Sequence, residues 1–424
     1  MARRSTNKRN PVTTPSRPFR CCISLNFRLY FCGFALVLFM GPVMYAVPYM
    51  SMRFRKNEMT SPEVIINIHA DKPAYAFREN FTQNSTVYRK RVHYYNVPGW
   101  LPTQKLFKNC DHQCFLTTGT NIAYLDSETA IIFHAPSITT IPKEKAVGQI
   151  WIIHSMESPK NHHDIWGSWG NLINWTLGYR RDSDILSPYS MFTPKNSNKD
   201  LKGKDRITGS DVITKKAWNA KIHDAVWFVS KCKASSMRQQ YATRLSRFID
   251  IDIFGECGKF QCYRHYKSLC QRYMKKWYKF YLSFENSLCR DYITEKSFNV
   301  FTHNLDLIPV TRSGANESIY LPPGSYVTTN DFNAIQALGT RLNEVSNHLD
   351  NFEKYLQWKR FYSSSDMIDS EEPFCELCRR LHETDRSTKH HRLYGSIETW
   401  LNGNDDYPMC HGVVNDIANI TDHK

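Results

Sequence analysis

A strand-like apolar run that ends in polar side chains carries the strongest chemical signal in this sequence. The run 279–284 (KFYLSF) precedes a polar elbow, and a helix is predicted to begin at Thr294. The polar side chains of the elbow and of the first helical turn are Asn286, Tyr292, Glu295 and Lys296. The free amides of a helix N-terminus, together with a lysine, can hold a diphosphate. A capped helix with a surface Glu-Lys pair gives the same pattern, so both interpretations stay open.

Carboxylates in two upstream segments are further candidates. Glu157 follows the apolar run 149–154 and therefore lies at the carboxyl end of a predicted strand, where ligands bind in parallel sheets. From the residues alone, an ordinary loop glutamate is the favoured interpretation. Asp182 and Asp184 have a D-x-D spacing that suits a divalent cation. The two arginines just before them favour carboxylates that are paired inside the fold, so we predict no metal site.

Thirteen cysteines divide into three near the N-terminus and ten beyond residue 100. The ten include a C-x3-C pair, Cys110 and Cys114, and a C-x2-C pair, Cys375 and Cys378. In a reducing compartment such pairs would suggest tetrahedral zinc, whereas an oxidising compartment favours structural disulfides. The even number fits disulfides, but spacing alone does not reveal their connectivity.

The N-terminal region predicts a membrane anchor. Residues 1–28 contain seven basic residues and no acidic one, and residues 29–50 carry no charge. A spanning helix needs ~20 apolar residues, and the basic flank favours the cytosolic side. We therefore expect a cytoplasmic tail (1–28), a transmembrane signal-anchor in the lipid bilayer (29–50) and a luminal stem (51–99), in a single-pass type II topology.

Glycosylation sequons agree with that topology, because all of them follow the predicted span. N-glycosylation is predicted at Asn80, Asn84, Asn174, Asn316 and Asn419. The secretory lumen also oxidises thiols, which supports disulfides among the ten downstream cysteines.

Length and charge exclude some classes of function. The 424 residues leave room for two or three domains. The net charge is +15, but seven of the excess positive charges lie in residues 1–28 and the rest are dispersed. A nucleic-acid partner is therefore not expected, whereas a phosphate-bearing small molecule fits.

From residue 100 onward, strand-like runs alternate with helical patterns, which indicates parallel sheets covered by helices. Strands are predicted at 130–134, 149–154, 225–229, 250–254, 279–284 and 307–310, and helices at 235–248 and 294–302. The lysine-rich segment 195–216 is the predicted break between two α/β halves. Ligands are then expected in the cleft between the halves.

The motifs resemble, in order, those of the α1,3-fucosyltransferases, glycosyltransferase family 10. The segment 280–296 is similar to the donor-binding signature FYLxFENSxxxDYxTEK of that family. Other segments resemble the family motifs ESP (157–159), NxTxxYRxDSDI (174–185), WxVSNxxxxxR (227–238), DxxxxYxxYFxWR (from 350) and the closing CxxC (375–378). Lys231 replaces the asparagine of the VSN motif. The resemblance covers approximately residues 100 to 410.

The resemblance implies an α/β, GT-B-like fold in which two Rossmann-like domains face a cleft behind the anchor. An acceptor-binding domain is expected at 100–212, a GDP-fucose-binding domain at 213–370 and a C-terminal segment at 371–424. The implied activity is an inverting transfer of L-fucose from GDP-fucose, in α1,3 linkage, to GlcNAc of glycoprotein glycans in the Golgi. The cysteine grouping resembles core-type members, which act on the N-glycan core. The alternatives are a Lewis- or LacdiNAc-type antenna enzyme and an inactive glycan-binding homologue.

The resemblance also implies roles for single residues. Glu157 is expected to be the catalytic base, and donor binding is expected from Arg238, Asn286, Tyr292, Glu295 and Lys296. Disulfides are implied between Cys110 and Cys375 and between Cys114 and Cys378. No cofactor is expected, because GDP-fucose is a substrate, and Mn²⁺ or Mg²⁺ is expected at most to stimulate turnover. The oligomeric state is not predicted.

Overall fold

The computed structural model of the protein describes residues 88–195, 213–383 and 393–412. The strands are β1 Lys90–Tyr94, β2 Cys114–Thr118, β3 Ala130–His134, β4 Ile150–Ser155, β5 Trp175–Gly178, β6 Ile185–Leu186, β7 Ser190–Pro194, β8 His223–Phe228, β9 Ile251–Phe254, β10 Tyr278–Phe284, β11 Ile308–Arg312, β12 Val327–Thr328 and β13 Tyr362–Asp366. The helices are α1 Lys215–Ala220, α2 Arg238–Leu245, α3 Lys267–Trp277, α4 Glu295–Thr302, α5 Ile335–Ser346, α6 Leu349–Lys354, α7 Trp358–Phe361, α8 Glu372–Glu383 and α9 Ile397–Asn402. The predicted alternation of strands and helices is confirmed.

The first half of the body is built on a six-stranded sheet in the order β2-β1-β3-β4-β5-β6, in which all neighbours are parallel. Its central strands β3 and β4 are buried along their whole length, which explains their uninterrupted apolar sequences. Phe133 and Trp151 belong to one core cluster with Trp169, whereas Ile132 and Ile152 belong to a second cluster. Alternate side chains thus bury both faces of the sheet and fix the carboxyl ends of these strands.

The second half contains a five-stranded parallel sheet in the order β12-β11-β10-β8-β9. The central strand β10 is buried throughout. Leu282 shares a core cluster with Leu245 of α2 and Leu338 of α5, whereas Tyr281 shares another with Phe298 of α4. Helices therefore cover both faces, and the polar elbow after β10 begins from a rigid strand.

After the second sheet the chain returns to the first half. Strand β13 pairs antiparallel with β7. Helix α8 then places Phe374, Leu377 and Leu381, which are spaced three to four residues apart, in the core cluster of β1 and β3. The segment after residue 370 is therefore an integral part of the first half.

Ten cysteines of the body form five disulfides. Cys110–Cys375 and Cys114–Cys378 join α8 to the start of the body, which confirms the implied pairing. The remaining bonds are Cys232–Cys257, Cys262–Cys270 and Cys289–Cys410. Closing a loop with a sequence separation of 265 stabilises the fold by about 5.6 kcal/mol in the chain-entropy model.

Two predicted boundaries need correction. Strand β1 lies inside the segment 51–99 that was expected to be a stem, and its Val92 and Tyr94 are fully buried in the first half. The segment 371–424 was predicted with bounds of its own after the second domain, and its helix α8 packs in the core of the first half. Local sequence does not reveal which partners an element packs against, and β1 and α8 join a core whose other members lie elsewhere in the chain.

The predicted tail, the predicted span (29–50) and most of the stem lie outside the described residues. Most of the predicted break, 195–216, lies outside them as well. Within the described ranges, none of the helices has the length and apolar character that membrane crossing requires.

Candidate active site

Glu157 and the polar elbow come from different halves but meet in space. Glu157 follows the end of β4, and the elbow connects β10 to α4. The Asn286 side-chain amide donates to Glu157 Oε1 at 3.2 Å, and the Tyr292 hydroxyl donates to the same oxygen. The structure thus unites the predicted base with two residues that were predicted to contact the donor. Asn286 and Tyr292 orient the carboxylate.

One oxygen of the Glu157 carboxylate accepts all of the hydrogen bonds that described residues donate to this carboxylate. Besides Asn286 and Tyr292, the backbone N–H of Ser158 (3.2 Å) and the Asn161 side-chain amide (3.3 Å) donate to Oε1. No described residue donates to Oε2. The carboxylate is therefore held in one orientation while Oε2 stays available to accept a proton from a bound hydroxyl.

Tyr292 is suited to be a permanent donor. Its side chain is buried, and burial raises the pKa of its hydroxyl well above the usual range, with Tyr189 and Glu157 adding to the shift. The hydroxyl stays protonated at all working pH values. Tyr292 therefore always offers its proton to Glu157 Oε1.

His162 supports the backbone of Glu157. The Ser155 hydroxyl donates to the Glu157 carbonyl oxygen at 2.9 Å, and His162 Nε2 lies 3.2 Å from that oxygen. Burial lowers the pKa of His162 to about 4, so the ring is neutral near pH 7. Because Nε2 faces a carbonyl oxygen, it carries the proton and donates.

Two serines that were not singled out join the halves beside Glu157. The Ser158 hydroxyl donates to Ser287 Oγ at 2.8 Å, and the Ser235 hydroxyl donates to the same oxygen at 3.1 Å. Ser158 and Ser287 are the serines of the ESP and ENS motifs. In the sequence, only their positions next to Glu157 and Asn286 indicated a place in the site. A serine whose hydrogen-bond partner is not evident from the sequence is not selected as a site residue.

The elbow contains a closed network around a buried carboxylate. Glu285 is fully buried and accepts from the backbone N–H of Thr294 (2.8 Å) and from its hydroxyl (2.9 Å). Lys296 Nζ lies 3.1 Å from Glu285 Oε2 and donates to Thr294 Oγ1 and Glu295 Oε1. Thr294 is also the N-cap of α4, which begins at Glu295, one residue after the predicted start. The elbow is therefore rigid before any ligand binds.

Charge within this network is strongly coupled. Burial by itself lowers the pKa of Lys296, but the carboxylates of Glu285 and Glu295 more than compensate and raise it above its usual range. Lys296 is therefore a permanent cation with three internal acceptors. Its contact with a diphosphate stays a prediction, as does that of the half-exposed Glu295.

Arg238 is the first residue of α2 and points toward the end of β10. Its guanidinium is buried and donates to the carbonyl oxygens of Phe284 (2.9 Å) and Lys231 (3.1 Å), whereas its Nε has no partner among the described residues. Burial lowers its pKa, although an arginine remains charged at neutral pH. Arg238 thus places a second fixed positive charge beside the elbow.

The D-x-D carboxylates are engaged inside the fold. Asp182 forms a bidentate pair with Arg180 (2.9 and 2.6 Å) and also contacts Arg290 at 2.5 Å. Asp184 accepts from the backbone N–H of Thr176 (2.9 Å) and from the Tyr394 hydroxyl (2.8 Å). These partners agree with the structural interpretation of the motif.

A pocket opens beside Glu157 at the carboxyl ends of β4 and β5. Its lining includes Glu157, Tyr179, Arg180 and Ser183 from the first half, together with Trp400 of α9. Trp400 was not selected from the sequence, because it lies more than 200 positions after Ser183, the last lining residue of the first-half sheet. The pocket adjoins the predicted base and encloses about 10 Å³, which is room for about one water molecule.

The glycosylation predictions divide into three groups. Asn316 is exposed and lies in a short turn, which is compatible with a glycan. Asn174 is 3% exposed, and its Oδ1 accepts from the backbone N–H of Trp151, so this predicted site does not suit a glycan in the folded protein. Asn80, Asn84 and Asn419 lie outside the described residues.

The two halves match two consecutive domains of one protein family. Residues 80–190 match "Fucosyltransferase, N-terminal", and residues 218–400 match "Glycosyltransferase family 10 (fucosyltransferase) C-term". Together the matches cover more than half of the chain and include Glu157 and the elbow. The chain belongs to glycosyltransferase family 10. This confirms the resemblance that the motifs indicated.

Curated relatives in family 10 agree with this assignment. The family 10 chain is 34% identical to alpha-(1,3)-fucosyltransferase C of Drosophila melanogaster, over 64% of this chain and 64% of that protein. It is 33% identical to alpha-(1,3)-fucosyltransferase fut-1 of Caenorhabditis elegans, over 60% of this chain and 57% of that protein. The chain thus spans less than two thirds of the length of these relatives.

A solved α1,3-fucosyltransferase with GDP-fucose is also similar, with a TM-score of 0.46 and 14% identity over 75% of this chain and 96% of that one. The sequence matches, and not this structural similarity, decide the membership in family 10.

Proposed function

We propose that this protein is an α1,3-fucosyltransferase that moves L-fucose from GDP-fucose to GlcNAc of glycoprotein glycans with inversion. The proposal is supported by the membership in family 10 and by relatives that carry the name α-(1,3)-fucosyltransferase. The two parallel sheets agree with a GT-B-like arrangement, in which each half binds one substrate.

The orientation of Glu157 is the observation that carries the proposal. A direct displacement needs one carboxylate that removes the proton from the attacking hydroxyl. Glu157 meets this need because both halves fix its Oε1, from Asn286 and Tyr292 on one side and Asn161 on the other. Its Oε2 is then directed by the same hydrogen bonds and is available for the acceptor.

In the proposed reaction the acceptor hydroxyl oxygen attacks the anomeric carbon of fucose while Glu157 Oε2 takes its proton. The bond between fucose and the β-phosphate oxygen breaks, and GDP leaves with the electron pair. General-base assistance of this kind contributes ~10²–10⁴-fold to the rate. The proton on Glu157 returns to solvent after the product leaves.

The elbow and α2 supply the charge that a departing diphosphate requires. Arg238 and Lys296 are two fixed cations near the end of β10, and the α4 N-terminus adds its backbone dipole. Both side chains donate to internal acceptors in this structure, so we propose that they act on the phosphates as nearby fixed charges, which stabilise developing negative charge. We propose that these groups bind the GDP moiety and that no metal cofactor is required.

The finer assignments are part of the same proposal. The grouped cysteines favour the core GlcNAc of N-glycans as acceptor, with Lewis- or LacdiNAc-type antennae as the alternative. The uncharged segment 29–50 and its basic flank support a type II protein of the Golgi membrane with a luminal body.

The test is an incubation of the detergent-solubilised full chain with GDP-fucose and a panel of core and antenna glycans. We expect one GDP released per fucosylated product, with an α1,3 linkage by NMR, and activity that persists in EDTA. The Glu157→Gln variant is expected to lose transfer, whereas Glu344→Gln, at a side chain 56% exposed on α5, keeps it.

Three results would contradict the proposal. Binding of glycans without GDP release would identify an inactive homologue. A Glu157→Gln variant as active as the wild type would show that Glu157 is not the catalytic base. Complete loss of activity in EDTA, restored by Mn²⁺, would contradict the metal-independent mechanism.

A further inference from the structure

Lys231 is an exposed lysine of the second half whose side chain reaches the first half. It lies in the loop between β8 and α2, at the position where the chain departs from the VSN motif. Its Nζ donates to Asn161 Oδ1 at 2.6 Å. Asn161 belongs to the short turn Pro159–Asn161, which follows Glu157 in the first half. This hydrogen bond therefore joins the two halves beside the predicted base.

Asn161 connects this contact to Glu157. Its side-chain amide nitrogen donates to Glu157 Oε1 at 3.3 Å and to Ser158 Oγ at 3.1 Å. The amide oxygen thus faces the lysine, and the amide nitrogen faces the carboxylate. An ammonium group donates hydrogen bonds and accepts none, so only the oxygen of the amide can face it. Lys231 therefore favours the one orientation in which Asn161 donates to Glu157.

The backbone of Lys231 is held in place although its side chain is exposed. Its carbonyl oxygen accepts from the guanidinium of Arg238, a buried residue, at 3.1 Å. The next residue, Cys232, is bonded to Cys257. Ordering a chain segment costs conformational entropy, and these contacts have already ordered the backbone of this one. The loop therefore presents the ammonium group from a defined position.

The charge of Lys231 acts in the same direction as its geometry. Asn161 lies between a positive group and a negative one, with the oxygen end of its dipole toward Lys231 and the nitrogen end toward Glu157. Hydrogen bonds to charged groups are stronger than neutral ones, and hydrogen bonds in series polarise one another. The ammonium group therefore strengthens the bond that Asn161 donates to Oε1.

The second half thus holds the base from two neighbouring strands. Asn286 and Tyr292 donate to Glu157 from the elbow after β10, whereas Lys231 acts through Asn161 from the loop after β8. Strands β8 and β10 are adjacent in the second sheet. Contacts from two strands fix the Glu157 carboxylate relative to the whole sheet better than contacts from one loop do.

We propose that Lys231 is a positioning residue for fucose transfer, which from the second half orients Asn161 and thereby holds the Glu157 carboxylate. This inference rests on the proposed fucosyltransferase function. The lysine links the orientation of the base to the approach of the two halves. Loss of its ammonium group should therefore lower turnover and leave the binding of both substrates nearly unchanged.

The test measures kcat and both KM values of the detergent-solubilised full chain. GDP-fucose is the donor, and a GlcNAc2-asparagine glycopeptide and N-acetyllactosamine are the acceptor probes. Lys231→Met keeps the apolar stem but removes the charge, so kcat is expected to fall about fivefold with both KM values within about twofold. Lys231→Arg restores a charged donor and is expected to recover most of the turnover.

Lys233→Met is the matched control. It removes the same charge from an exposed side chain two residues further along the same loop and should leave kcat and both KM values unchanged. Thermal unfolding of each variant is measured in parallel. The melting temperature of Lys231→Met is expected to stay within about 2 °C of the wild type, because a single exposed contact contributes little to stability.

A double substitution tests the route through Asn161. Asn161→Ala removes the acceptor of Lys231 and one donor to Glu157 Oε1, so kcat is expected to fall about tenfold. Adding Lys231→Met to this variant should have little further effect, because the residue through which the lysine acts is absent.

The outcomes separate this inference from the function on which it rests. A wild-type chain that transfers no fucose defeats the proposed function. An active wild type whose Lys231→Met variant keeps its kcat overturns the inference alone. A raised KM for GDP-fucose with an unchanged kcat would assign Lys231 to the donor, and independent effects of Lys231→Met and Asn161→Ala would exclude the route through Asn161. Either result also overturns the inference.

Discussion

Glu157 and Glu285 lie in one site, but their surroundings are opposite. Glu285 is fully buried, and both of its oxygens have partners from Thr294 and Lys296. Glu157 is partly exposed, and its described donors, which include Tyr292, all converge on Oε1. A carboxylate with both oxygens engaged holds the fold together, whereas one that is held on a single side can accept a proton.

The hydrogen-bond partners of the two carboxylates also lie at different distances along the chain. The elbow of the second half is closed by its own residues, within the twelve positions from Glu285 to Lys296. The carboxylate in the first half depends on residues from both halves, separated by 129 and 135 positions. Changes in the network of Glu285, Thr294 and Lys296 should therefore affect stability, whereas changes at Glu157 and at its donors Asn286 and Tyr292 should affect turnover.

The largest effect on turnover is expected for a substitution of Glu157. Glu157→Gln keeps the shape but cannot accept a proton, so kcat should fall ~10²–10⁴-fold. The affinity for GDP by calorimetry should stay nearly unchanged, because the nucleotide is expected in the other half. A variant that retains more than about a tenth of the wild-type kcat would move the role to another group.

The second prediction concerns the stability of the fold when Glu285 loses its charge partner Lys296. Lys296→Met leaves a buried carboxylate without its cation and should lower the free energy of unfolding by about 3–5 kcal/mol. Urea unfolding provides the measurement. Arg341→Met is the matched control, because its pair with Glu344 is exposed and should matter by less than about 1 kcal/mol.

A double substitution makes this prediction sharper. Replacing Glu285 by Gln in the Lys296→Met background removes both charges and should recover part of the lost stability. If the double variant were less stable than the single one by the full sum of both effects, the two residues would not be coupled.

The third prediction concerns two buried histidines of the first half, His134 in β3 and His154 in β4. Burial lowers the pKa of His154 to about 3 and that of His134 to about 4, each helped by a neighbouring histidine. The unfolded chain, with a pKa near 6.5, binds protons first, so stability is complete above pH 6.5 and falls as the pH drops below it.

The expected size follows from the linkage. At pH 5, which is 1.5 units below the unfolded value, His154 alone should cost about 2 kcal/mol relative to pH 7.5. Urea unfolding at the two pH values measures this loss. The His154→Phe variant should show a smaller difference by about that amount, and an equal difference would assign the pH dependence to other groups.

The smallest effect on turnover is expected for a substitution of Tyr292. Tyr292→Phe removes one of the four donors to Glu157 Oε1 and should lower kcat about tenfold, with the KM for GDP-fucose within about twofold. A rise in the KM for GDP-fucose with an unchanged kcat would return Tyr292 to the donor-binding role that was first expected.

Local sequence patterns were sufficient to predict several elements of the fold. The apolar runs of β3, β4 and β10 and the capping threonine of α4 were predictable, because they depend on neighbours in the chain. The short strand β1 was missed, because it is stable only between β2 and β3. The buried Asn174 was also missed, because a sequon contains no information about burial.

The sequence by itself determined the family, the two α/β halves, the base Glu157 as a candidate and, through the resemblance, two disulfides. Only the tertiary structure decided that Asn286 and Tyr292 hold the base, that Lys296 has internal acceptors, and that Trp400 reaches the same pocket. The physical reason is distance along the chain. Motifs and periodicity report on neighbours a few residues apart, whereas hydrogen bonds across more than a hundred residues depend on how two separately buried sheets pack together.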